Sequence, residues 1–103
     1  MSLNRLEIQD RLEAISEDLH VYFQPPASVL LKYPAIVYKV NDYSQDWADD
    51  RLYKKDRSYI ITLIHYDPDN EIVEKLLWAF PKLRFDRTYT SDNLYHYVYV
   101  LYE

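Results

Sequence analysis

His65, Asp67 and Asp69 stand in a His-x-Asp-x-Asp run, a set that could offer nitrogen and oxygen ligands to a metal ion. Their neighbours argue for simpler work. Asp67 precedes Pro68, the arrangement of a helix N-cap followed by proline at the first helical position, and Asp69 would then suit the positive end of the helix dipole. Without a second histidine or acidic cluster at ligand spacing, we expect no metal at this run. A further group of carboxylates, Asp42, Asp46, Asp49 and Asp50, lacks the glycine and terminal glutamate of a calcium-binding EF-hand loop. Serine, histidine and aspartate all occur, but there is no Gly-x-Ser-x-Gly elbow to expose a nucleophile. The chain contains no glycine and no cysteine, which removes glycine-lined phosphate loops, thiolate nucleophiles and thiolate metal sites. The expectation is a protein that is not an enzyme and takes no cofactor.

What the chain has in abundance is tyrosine, 12 residues of 103. Tyrosine combines apolar area with a polar tip and loses little rotamer freedom when ordered, which suits contacts with other proteins. A chain of 103 residues fits one domain, here residues 1–103, with a single core. Its net charge of -5 and pI near 5.1 speak against a dedicated nucleic-acid binder. The nearest basic cluster, Lys54, Lys55 and Arg57, reads as a solvated strand edge. No apolar run reaches the roughly 18 residues of a membrane span, and the N-terminus lacks the order of a signal peptide, so folding in the cytoplasm is expected.

The elements that would carry these side chains follow from periodicity. Ile8, Leu12, Ile15 and Leu19 share one face of a helix expected over Leu3 to Leu19, with Asn4 and Glu7 as a capping pair. A short strand, Val21 to Phe23, stops at Pro25 and Pro26. Ala35 to Val40 alternates as a strand, and Leu52 to Tyr66 reads as the longest strand, its centre apolar enough to be buried on both faces. Between them, Asn41 to Arg51 is acidic and rich in turn formers, an exposed hairpin excursion that nonetheless holds Tyr43 and Trp47. A second helix is expected from Asp67 to about Phe80 with Ile72, Val73, Leu76, Leu77 and Phe80 as its apolar stripe, ended by Pro81. Two closing strands, Phe85 to Tyr89 and Leu94 to Tyr102, flank Thr90-Ser91-Asp92-Asn93, a turn built without glycine because asparagine and aspartate tolerate left-handed backbone.

The order α-β-β-β-α-β-β predicts an α+β fold, a mostly antiparallel mixed sheet with both helices packed on one face. Such a sheet leaves its other face to be covered. Tyr38, Tyr59 and Tyr66 are expected at the edge of the core. Tyr95, Tyr97 and Tyr99 in the last strand compete between core and interface, and with Tyr43 and Trp47 they are the candidate protein-contact residues. Self-association is the simplest partner to suppose.

Several segments resemble a known family: Val-Tyr-Phe-Gln-Pro-Pro at 21–26, Lys-Tyr-Pro-Ala-Ile-Val-Tyr at 32–38, Tyr-Ile-Ile-Thr-Leu-Ile at 59–64, Asp-Pro-Asp-Asn-Glu-Ile-Val-Glu-Lys-Leu at 67–76, and Phe-Asp-Arg-Thr-Tyr-Thr-Ser-Asp-Asn-Leu-Tyr-His at 85–96. From about Arg5 to Glu103 the chain is similar to the tail terminator, or tail completion, proteins of long-tailed phages and prophages of Gram-positive bacteria. The resemblance implies a ring, commonly of six subunits, that caps the tail tube, contacts the head connector and lets DNA pass without binding it specifically. It implies a virion protein assembled in the host cytoplasm, without membrane, enzymatic activity or cofactor. By analogy, Asp42, Asp46, Asp49 and Asp50 would line the lumen or reach the tail tube. The alternatives are a neighbouring head-completion or minor capsid protein, a small cytoplasmic adaptor using its tyrosines, and a small enzyme built on His65, Asp67 and Asp69.

Overall fold

The structure, a computed structural model, describes residues 4–41, 44–48, 51–56 and 58–102, with the backbone alone at 44–48 and 51–56. Among the described residues the elements are α1 (Arg5–Glu13), β1 (His20–Phe23), β2 (Ala35–Val40), β3 (Ser44–Ala48), β4 (Arg51–Asp56), β5 (Ser58–His65), α2 (Ile72–Ala79), β6 (Leu83–Ser91) and β7 (Leu94–Tyr102). The fold is α+β, as expected. A five-stranded sheet in the order β1-β2-β5-β7-β6 has one parallel pair, β1 with β2, and is otherwise antiparallel.

The element order differs from the expectation in one region. The long strand expected over Leu52 to Tyr66 is two strands, and the excursion before it contains a strand of its own, so β3 and β4 form a separate two-stranded sheet. Val40 pairs with Tyr59 at the end of the main sheet, and Ser44 pairs with Asp56 at the start of the ribbon, so the chain leaves and re-enters the sheet as one antiparallel excursion. A register shift between Asp46 and Trp47 marks an irregularity within it. Such shifts bend and twist a strand pair locally.

Helix α1 starts where Asn4 predicts, its Oδ1 accepting the Glu7 N–H at 2.9 Å. It stops at Glu13, well before Leu19. Ser16 accounts for the difference, because its hydroxyl accepts the Asp18 N–H at 3.4 Å and its carbonyl accepts the Leu19 N–H at 3.3 Å, a local turn that competes with further helix. Leu19 reaches the core all the same, from the turn. Helix α2 is also shorter than expected and begins at Ile72. Asp67 is not its N-cap: the carboxylate accepts the Asp69 N–H at 2.9 Å in a preceding turn, and Asn70 Oδ1 receives the Val73 N–H at 3.3 Å. Proline at 68 therefore begins the turn and not the helix.

The closing hairpin matches its sequence. Asp92 and Asn93 adopt φ of 53° and 64°, the left-handed pair that a two-residue turn between Ser91 and Leu94 requires. Gln24 is also left-handed, at φ 43°. Two bonds hold it there, its N–H to the Tyr38 carbonyl at 2.9 Å and its Oε1 to the Val40 N–H at 3.1 Å.

Both helices cover one face of the sheet. Ile8 and Leu12 from α1, and Ile72 and Leu76 from α2 with Phe80 just after it, pack on Ile36, Tyr38, Tyr59, Ile61, Leu63, Tyr99 and Leu101. Arg11 ties the two helices together, its Nη1 donating to the Ala79 carbonyl at 3.2 Å where α2 ends and its guanidinium lying 5.8 Å from the Phe80 ring. A cation at that end also suits the helix dipole.

Candidate interaction surface

Strand β7 decides which tyrosines are available to a partner. Its residues alternate, and Tyr95, Tyr97 and Tyr99 take the side of the helices. Tyr99 is fully buried and its hydroxyl donates to the Val73 carbonyl in the first turn of α2 at 3.1 Å. Burial pushes its pKa up, since the phenolate would lose its water. The Tyr97 hydroxyl donates to the Pro68 carbonyl at 3.4 Å, and burial raises its pKa as well. These two side chains hold α2 and its entry turn onto the sheet. Tyr99 is thus a core residue of the single chain and not a surface contact, while Tyr95 and Tyr97 stay half-buried on the covered side. Tyr38 and Tyr59 are buried, Tyr38 bonding Gln9 from β2 to α1, whereas Tyr66 lies exposed past the end of β5.

The opposite face of the sheet carries no helix. Its residues follow from the register: Tyr22 beside Val37, then Ile60, Thr62 and Ile64 on β5, and His96, Val98 and Val100 on β7. The centre is mostly β-branched and aliphatic; Ala35, Ile64 and Val98 are buried there within the single chain, while Val37, Ile60, Thr62 and Val100 are half-buried. Aromatic groups lie toward its margins, with Tyr89 stacked on His96 at 4.6 Å, Tyr102 exposed, and Tyr22 accepting the Lys32 N–H at 3.1 Å. Its formal charges on strand register positions are Lys39, Arg84 and Arg87, all cationic. Asp86 sits in the bulge of β6 and pairs with Arg87 at 2.6 Å.

The helix side has the reverse charge. Glu7, Asp10, Glu13, Glu17, Asp18, Asp67, Asp69, Glu71 and Glu74 are all exposed on or next to the helices, against the cations Arg5, Arg11, Lys75 and Lys82. Among the described residues, acids therefore outnumber bases by five on and beside the two helices. Trp78 projects from that layer, 87 % exposed, with Leu77 and Leu6 also outward. Beside it lies an open cleft of about 540 Å³ lined by Arg11, Ala14, Ile15, Lys75, Trp78 and Ala79. Sequence reading placed Leu77 in the apolar stripe and passed over Trp78. The available signal was spacing: Trp78 lies two residues after Leu76, which is nearly opposite on a helix.

Of the remaining sequence candidates, Asp42, Tyr43, Asp49 and Asp50 lie outside the described residues. Asp46 and Trp47 are on β3, with Asp46 opposite Lys54 and Trp47 opposite Leu52 in the ladder.

The His65, Asp67, Asp69 run is occupied locally. His65 is buried, its Nδ1 accepts the Asp67 N–H at 2.9 Å, and Asp67 Oδ1 accepts from Asp69. Desolvation lowers the His65 pKa despite the opposing field of Asp67, which keeps the ring neutral with its lone pair on Nδ1. Among the described residues no group of three or more His, Cys, Asp or Glu is placed to hold a metal ion. Nor is any described helix long and apolar enough to cross a membrane. No family model matches the chain, and no curated protein is similar enough to be counted a relative.

Proposed function

We propose that the chain is a structural subunit of a phage tail, forming a ring that caps the tail tube and joins it to the head connector. The observation that carries this reading is the one-sided helix layer, which leaves the opposite, mostly aliphatic face of the five-stranded sheet without a helix, with Val37, Ile60 and Val100 only half-buried in a single chain. Faces of this kind are often covered by partners, and contacts that repeat head to tail between identical copies give a ring when the rotation between copies closes. The β3–β4 ribbon adds to it. A two-stranded hairpin is marginal by itself in water, so a ribbon that pairs only with itself among the described residues gains from a neighbouring subunit or tube to rest on. The sequence resemblance from Arg5 to Glu103 supplies the phage context and a ring of six.

In this reading the chain performs no catalysis and takes no cofactor; its partners are further copies of itself, the tail tube protein and the head connector, and DNA passes through without specific contact. It resides in the virion tail after assembly in the host cytoplasm. Complementation tests it: a phage lacking the gene should yield separate heads and tails by electron microscopy, and supplying the chain should restore joined particles. Joined particles in normal yield without the chain would overturn the reading. Trp47→Ala should lower the joined yield while leaving the thermal midpoint of the isolated chain unchanged.

A further inference from the structure

We infer that the uncovered sheet face of one copy docks on the helix layer of a second copy, with Trp78 as the central anchor. The inference rests on the reading of the chain as self-assembling, but not on its place in a phage. Two observations on opposite sides of the molecule carry it. The sheet face offers half-buried Val37, Ile60 and Val100 framed by Lys39 and Arg84, with Arg87 beside them already paired to Asp86. The helix layer as a whole offers the opposite charge, with nine acids against four bases, and it carries an indole that is 87 % exposed beside a cleft whose charged lining is Arg11 and Lys75, with Glu74 one turn before it on α2. Arg5 lies over the Phe23 ring at 4.6 Å, Arg11 is engaged on the Ala79 carbonyl, and Lys75 pairs with Glu71 at 3.8 Å, which leaves most of the acids there without a base beside them.

Charge selects among the pairings open to identical copies. Sheet against sheet would oppose cations to cations, and helix layer against helix layer would oppose acids to acids. Only sheet against helix layer sets unlike charges together. That pairing also places a large aromatic side chain on a dry β-branched surface, the combination that concentrates binding energy in an interface. Because each copy presents both surfaces, the contact is heterologous and repeats from copy to copy. A nucleic acid on the sheet face is the less favoured occupant, since the centre is aliphatic where base stacking needs aromatic rings.

Two charge-reversed proteins test the pairing, Lys39→Glu with Arg84→Glu on the sheet face and Glu71→Lys with Glu74→Lys on the helix layer. Analytical ultracentrifugation should show wild-type chain associating with concentration, each reversed protein alone remaining monomeric, and their equimolar mixture associating again. Trp78→Ala should weaken wild-type association by about tenfold or more with an unchanged melting temperature, which keeps the test open if a double variant fails to fold. The proposal is overturned if the helix-layer variant still associates by itself, if the mixture stays monomeric, if Trp78→Ala associates normally, or if the wild-type face captures a DNA oligonucleotide and no second copy. A chain that associates in this way yet is dispensable for joined virions would sink the phage reading and leave this contact standing.

Discussion

The two faces of the five-stranded sheet are built from neighbouring residues of the same strands, yet they solve different problems. Under the helices lie tyrosines whose hydroxyls reach helix or turn atoms: Tyr38 to Gln9, Tyr97 to the Pro68 carbonyl, Tyr99 to the Val73 carbonyl. On the helix-free face the centre is Val37, Ile60, Val98 and Val100 around Thr62, whose short hydroxyl is the one polar group among them. A buried hydroxyl needs a partner, and the helix layer provides carbonyls and a side-chain amide within reach. Tyrosine therefore serves the helix side with hydroxyls bonded across layers, while on the helix-free side Tyr22, Tyr89 and Tyr102 stay at the margins of an aliphatic centre flanked by cations.

The sharpest test of that contrast uses adjacent residues of β5. Ile61→Ala should destabilise the monomer by about 2–5 kcal/mol through the cavity left under the helices, whereas Ile60→Ala on the open face should cost far less. Urea unfolding at a concentration where the chain is monomeric measures both; equal losses would mean that the open face is already covered within one chain. Next in size, Tyr99→Phe should cost about 1 kcal/mol by removing the bond to Val73, while Tyr102→Phe, at an exposed hydroxyl, should be neutral within about 0.5 kcal/mol. Asn70→Ala should cost about 1 kcal/mol or less, as loss of the side-chain acceptor at the start of α2.

The smallest expected effect concerns pH. His65 lies on the covered side with its folded pKa lowered by desolvation, so the unfolded chain takes up the proton first as pH falls. The stability it contributes is full above about pH 6.5 and declines below that as pH falls toward the lowered folded pKa. Melting temperature should drop between pH 7.5 and 5.5 for the wild type and drop less for His65→Gln; identical slopes would remove His65 as the cause.

The sequence by itself determined the α+β class, the Asn4 cap, the strands Ala35–Val40 and Leu94–Tyr102, and the glycine-free Asp92-Asn93 turn. Each depends on interactions within a few residues: a side-chain oxygen near a free N–H, strict alternation, or tolerance of left-handed backbone. Tertiary structure decided the rest. Alternation shows that Tyr97 and Tyr99 share a side with each other and not with Val98, but both sides of β7 are apolar, so only packing against α2 tells which one is covered. The end of α1 at Glu13, ahead of the Ser16 turn, and the bond from Asn70 in place of Asp67 at the start of α2 were likewise decided between hydrogen-bonding options of similar strength. The segregation of charge is the clearest case. A net charge of -5 is an average along the chain, and only folding gathers the acids around the helices and leaves Lys39, Arg84 and Arg87 together across the sheet, because distant strands become neighbours through backbone pairing that no local pattern specifies.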